Sequence, residues 1–67
     1  MIKVEAILLN DHIVRGTLVS WNPNGTILLG RAVEWNKKSD VFRKFDEFYN
    51  IDIINETKEC KFIRDCE

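Results

Sequence analysis

Period-two alternation of apolar and polar residues is the dominant pattern of this chain, and it begins at the N-terminus. Across residues 2–9, Val4, Ala6 and Leu8 fall on one face, with Lys3, Glu5, Ile7 and Leu9 on the other. Apolar residues on both faces near the end of this first strand predict burial on both sides there. Asn10-Asp11 reads as a two-residue hairpin turn, since both residue types tolerate left-handed φ. In a second strand over residues 14–21, Val14, Leu18 and Ser20 alternate with Arg15, Thr17, Val19 and Trp21. Gly16 interrupts its apolar face and predicts a bend or bulge. Asn22-Pro23-Asn24-Gly25 is the next turn: Pro23 presets φ, Gly25 accepts positive φ, and Asn22 bonds its own backbone two residues on. Thr26-Ile27-Leu28-Leu29 then opens a third strand that runs through Trp35.

The alternation blurs beyond Trp35. Lys37-Lys38-Ser39-Asp40 is a polar connection. In residues 41–50, Phe42, Phe45, Phe48 and Tyr49 recur at i, i+3, i+6 and i+7, a helix-like spacing, whereas the aromatic content suits a strand. The expectation is a polar loop with one short helical turn within 41–46, followed by a fourth strand over 47–54. Asn55-Glu56-Thr57-Lys58 reads as a turn. Residues 59–64 form a fifth strand, with Cys60 and Phe62 on one face and Lys61 and Ile63 on the other.

Five short strands with a bent, glycine-marked second strand predict an all-β fold: a small, five-stranded, strongly bent antiparallel barrel of the SH3-like class. The 67 residues make one domain, close to the size at which a core stops sufficing alone, so association with a partner is expected. A barrel left open keeps edge strands, and exposed edges invite pairing. Phe48, Ile51, Ile53 and Ile54 on the fourth strand, with Phe62 and Ile63 on the fifth, are the apolar side chains available for such a contact. About half of these six are expected to fill the barrel itself.

Charge narrows the function classes. Ten basic and eleven acidic residues are interspersed, giving a net charge of −1, which is not the footprint of a dedicated nucleic-acid binder. No run approaches the roughly 18 apolar residues of a membrane span, and no leader pattern precedes the first strand. A soluble protein of the cytoplasm and nucleus is expected, with no membrane partner. Cys60 and Cys66 lie roughly 20 Å apart on an extended strand, beyond the roughly 7 Å between Cα atoms that a disulfide spans. Cys60 reads as a small buried hydrophobe and Cys66 as a free thiol in the tail. Two cysteines and the distant His12 make no zinc ligand set, so no metal or cofactor is expected. His12, beside a turn, reads as a solvated or locally bonded side chain. No acid, base and nucleophile set points to an enzyme.

Residues 15–34 carry a family resemblance. Gly16-Thr17-Leu18, Ser20-Trp21-Asn22, Ile27-Leu28-Leu29-Gly30 and Ala32-Val33-Glu34 resemble the first sequence motif of the Sm and Sm-like (LSm) proteins, ungapped over about a third of the chain. The resemblance implies an Sm-fold barrel whose fourth strand pairs with the fifth strand of a neighbouring Sm-like subunit. It adds Cys60 to the interface residues already named. It also implies where uridine-rich RNA would be contacted, at Asn22, Asn24 and Thr26, and all three depart from the family's residues. The family's second motif, an apolar residue followed by Arg-Gly, has two placements. Ile63-Arg64-Asp65-Cys66 keeps Arg and loses Gly; Ile54-Asn55-Glu56-Thr57 loses both but leaves a complete fifth strand, and is preferred.

A kept scaffold with an altered uridine site resembles the Sm-like Gemin subunits of the survival-of-motor-neuron (SMN) complex. What this implies is a non-enzymatic subunit that joins other Sm-like proteins during small nuclear ribonucleoprotein assembly, with RNA contact indirect or weak. An alternative is an LSm ring subunit contributing to uridine-rich RNA binding in splicing or mRNA decay. A third reading, from another class, is an SH3-like or Tudor-like peptide-binding module, which needs Trp21, Trp35, Tyr49 or a Phe to converge on one face as a cage.

Overall fold

The Asn10-Asp11 turn closes a hairpin between β1 (Ile2–Leu8) and β2 (Ile13–Trp21) in the computed structural model, which describes residues 1–64. Leu8 N–H donates to the His12 carbonyl at 2.8 Å, and Asp11 N–H donates to the Leu8 carbonyl at 2.9 Å. Asp11 adopts φ 70°, the left-handed conformation that Asp tolerates. β3 (Thr26–Asn36) returns along β2 after the second turn, where Gly25 sits at φ 91° and its N–H donates to the Asn22 carbonyl.

The β2–β3 ladder changes register twice. Arg15 pairs with Val33 but Thr17 with Gly30, so β3 carries one extra residue there, next to Arg31 at φ 52°. Leu18 pairs with Leu29 but Ser20 with Leu28, so β2 carries the extra residue, Val19. Each bulge reverses side-chain parity beyond it. The first brings Ala32 rather than Arg31 into the core. The second turns Trp21, expected on the face of Arg15, to the side of its partner Ile27, which is fully buried. Gly16 stands where the sheet folds on itself: a Cβ there would lie 3.1 Å from the Gly30 carbonyl oxygen and from Leu29 Cβ.

Beyond β3 the structure corrects the expected elements. Residues 41–46 form no helical turn; β4 (Val41–Lys44) is an extended strand paired with residues 33–36. Ladder bonds to β3 outweigh the aromatic spacing, and Phe42 lands beside Trp35 rather than beside Phe45 on a helix face. The single fourth strand expected over 47–54 is shorter. β5 (Tyr49–Asp52) pairs with residues 26–29 and gives way to a helical turn, α1 (Ile53–Glu56). Asp52 caps that turn: its carboxylate accepts from the N–H groups of Ile54 and Asn55, while Glu56 Oε1 accepts from Asp52 N–H at 2.8 Å. β6 (Thr57–Arg64) then starts within the expected turn and pairs with β1 along its length.

The result is a six-stranded, antiparallel all-β sheet in the order β4-β3-β2-β1-β6, with β5 also on β3. It does not close. Among the described residues β6 pairs only with β1, and β4 and β5 only with β3. The bent sheet wraps a core of Val4, Ala6, Val14, Ile27, Leu29, Ala32 and Ile51. Each large member stabilises the fold by roughly 1.5–3 kcal/mol.

Candidate partner interface

β6 is the strand with the longest open edge. Leu8 and His12 are a hydrogen-bonded pair of the first hairpin, so the even-numbered residues of β1 bond to β2. The odd-numbered ones therefore bond to β6, through Glu59, Lys61 and Ile63. The backbone N–H and C=O groups of Cys60, Phe62 and Arg64 consequently point to the open side.

The structure divides the apolar interface candidates. Ile51 is 1 % exposed and belongs to the core, so it has no surface to offer a partner. Ile53 and Cys60 are half-buried and pack against that core; burial also pushes the Cys60 thiol pKa up. Phe62 shares the face of its partner Val4 but is 39 % exposed, because the sheet ends beside it. Phe48, Ile54 and Ile63 are exposed outright, Ile54 at 74 %. Cys66, and the Asp65-Cys66 half of one motif placement, lie outside the described residues.

The turn that the resemblance associates with RNA contact and the preferred placement of the second motif lie side by side. Ile53 N–H donates to the Gly25 carbonyl at 3.0 Å, fastening α1 to the β2–β3 turn. Yet the polar groups of that turn bond to one another. Asn22 Nδ2 donates to Thr26 Oγ1 at 3.0 Å, and Thr26 donates through both Oγ1 and its backbone N–H to Asn24 Oδ1, at 2.7 and 3.1 Å. Asp52 is likewise occupied, accepting from Asn55 Nδ2 at 2.8 Å, and these bonds hold its carboxyl below the usual aspartate range.

His12 is locally bonded. Its N–H donates to Asn10 Oδ1, and its Nδ1 lies 2.7 Å from Glu34 Oε2. Glu34 pairs across the sheet with Val14 and Arg43, and its carboxylate acts with burial to raise the Tyr49 pKa. Six of the seven aromatic residues form three pairs: Trp21 with Phe62, Trp35 with Phe42, and Phe45 with Tyr49. No cage assembles from these pairs, and no group of three metal-ligating side chains occurs among the described residues. No described helix is long and apolar enough to cross a membrane.

One surface escaped the sequence reading. Ile7, Ile13, Trp35 and Phe42 are successive cross-strand partners on the outer face. The signal for it was the pair of apolar faces at the end of the first strand. Comparison with known proteins finds no matching family model, curated protein or solved structure.

Proposed function

We propose that this protein is a non-enzymatic assembly subunit that joins another small β protein by strand addition at the open edges of its sheet. The observation that carries the reading is the β6 edge, eight residues long, with the backbone groups of Cys60, Phe62 and Arg64 turned away from β1 and unpaired among the described residues, and with Phe62 and Ile63 exposed beside them. A partner strand would satisfy those groups and cover apolar surface in one step. Exposed Phe48 and Ile54 flank β5, the other half of the proposed contact.

The finer form of the proposal rests on the resemblance of residues 15–34. In it the partner is an Sm-like protein, contacted between the fourth-strand segment (β4 and β5) and β6, and the setting is snRNP assembly within an SMN-type complex, in cytoplasm and nucleus. Weak or indirect RNA contact is supported by the side chains of Asn22, Asn24 and Thr26, which spend their hydrogen bonds on one another. The ring-subunit reading draws support from the Ile53–Gly25 contact, which sets both loop segments together.

The test is affinity purification of the tagged protein from its own cells, with mass spectrometry and RNA analysis of what accompanies it. The expected result is one other small β protein with assembly factors, lost on Phe62→Asp and on Arg64→Pro. Arg64→Pro removes an outward N–H without disturbing the β1–β6 ladder. Recovery of a full set of ring proteins with a small RNA would overturn the assembly reading in favour of a ring subunit.

A further inference from the structure

We infer that the outer face of the sheet beside β4 is a second docking surface, which takes an extended acidic segment of a partner protein. This surface lies at the opposite end of the strand order from β6 and does not depend on the β6 contact, although it shares the β4 edge that the finer form of the proposed function gives to an Sm-like partner. Ile7, Ile13, Trp35 and Phe42 make one apolar row across four strands, on the face opposite Val4, Ala6 and Val14. The row ends on Phe42, 62 % exposed and stacked on Trp35 at 5.8 Å between centroids. Phe42 also lines a cleft of about 250 Å³, together with Ile13, Arg15, Val33 and Trp35.

β4 also ends the sheet. Phe45 N–H donates to the Ala32 carbonyl at 3.0 Å, continuing the register in which Arg43 faces Glu34. Alternation in the ladder therefore turns the backbone groups of Phe42 and Lys44 to the open side. A segment laid along this edge sends every second side chain to the outer face, next to Phe42 and Lys44.

Charge selects the occupant. The outer face carries Lys3, Arg15, Lys44 and Lys61 against Glu5, Glu59 and Asp40, the last accepting from Trp35 Nε1 at 3.0 Å, in a chain whose net charge is −1. Arg31 adds a further cation, lining a neighbouring cleft with Lys3 and Arg15. Arg15 is bound to Glu5 at 2.7 Å and Lys61 to Glu59 at 3.5 Å, which leaves Lys44 and Arg31 without a carboxylate among the described residues. Two separated cations do not make the phosphate track that a nucleic acid needs. They suit a peptide whose apolar side chain enters the cleft while a carboxylate two residues along meets Lys44.

Fluorescence anisotropy of a labelled peptide in which Phe alternates with Glu tests this. The expected result is salt-sensitive binding, weakened roughly tenfold by Phe42→Ala and by Lys44→Glu, and unchanged by Arg64→Pro. A peptide with Lys in place of Glu is expected not to bind. Both substituted side chains are exposed, and Lys44→Glu stands alone if Phe42→Ala fails to fold. Absence of binding, or binding indifferent to both substitutions, overturns the inference. So does oligouridylate binding that the same two substitutions abolish, which makes the surface a nucleic-acid site instead.

Discussion

The Trp21 and Phe62 rings stack with centroids 4.7 Å apart and planes 12° from parallel, although β2 and β6 share no ladder. The contact joins the end of β2, beyond Thr17 where its ladder with β1 stops, to β6. The Val19 bulge puts Trp21 on the side of Ile27, from which its ring, still 60 % exposed, reaches Phe62. Truncating either ring to Ala is expected to lower stability, and the double variant to cost less than the sum. A coupling of roughly 0.5–1.5 kcal/mol is expected from urea denaturation of the four-member cycle. Strict additivity would mean that the rings do not support one another.

Gly16 and Gly30 face different obstacles to a side chain. At Gly16 a Cβ meets the Gly30 carbonyl oxygen, Leu29 Cβ and Ala32 Cα, all held by the sheet. At Gly30 its nearest neighbour is Val19 Cγ2 at 3.2 Å, on an exposed side chain that has room to turn. Gly16→Ala is therefore expected to cost about 1–3 kcal/mol, and Gly30→Ala distinctly less. Thermal melts of the two variants decide this, and equal losses would contradict the assignment of the bend to Gly16.

Ile51 and Ile54 belong to adjacent elements but to opposite environments. Ile51→Ala is expected to cost about 2–5 kcal/mol by opening a cavity among Val4, Ile27 and Leu29. Ile54→Ala is expected to stay within about 0.5 kcal/mol in the isolated protein. Chemical denaturation of both variants checks the division between core and available surface.

Asp52 makes stability depend on acid. Bonds from Asn55, through its side chain and its backbone N–H, and from Ile54 N–H hold the folded-state pKa below the ordinary aspartate value of 3.8. As pH falls the unfolded chain takes up its proton first. The contribution of this carboxylate is thus complete above the ordinary value and is lost as pH falls through the folded one. Asp52→Asn keeps an acceptor oxygen at the cap but cannot titrate. Its urea midpoint is expected to vary less than that of the parent protein below about pH 4, and identical pH profiles would remove the cap carboxylate from the account.

Oligouridylate is expected to bind weakly and with no preference over oligoadenylate, because Asn24 and Thr26 are bonded to each other and neither offers an aromatic face. Each absent stacking contact forgoes roughly 1–3 kcal/mol. Filter binding at low salt measures this, and a clear uridine preference would reverse the assignment of these residues.

Alternation along the chain determined the first three strands, both tight turns and the shared face of Val4 and Ala6, because these follow from neighbours in sequence and a period of two; which face is inward came from the structure. Alternation also placed Cys60 and Phe62 on one face of the last strand. Only tertiary structure decided the rest. The helical spacing of Phe42 and Phe45 yielded to a ladder with β3, which a local pattern does not contain. The two bulges record where the returning strand must bend to cover the core, and they reverse the faces of Trp21 and Ala32. The open edges are likewise a property of the whole sheet: six short strands bend around a small core, and their spacing along the chain does not say whether the last meets the fourth.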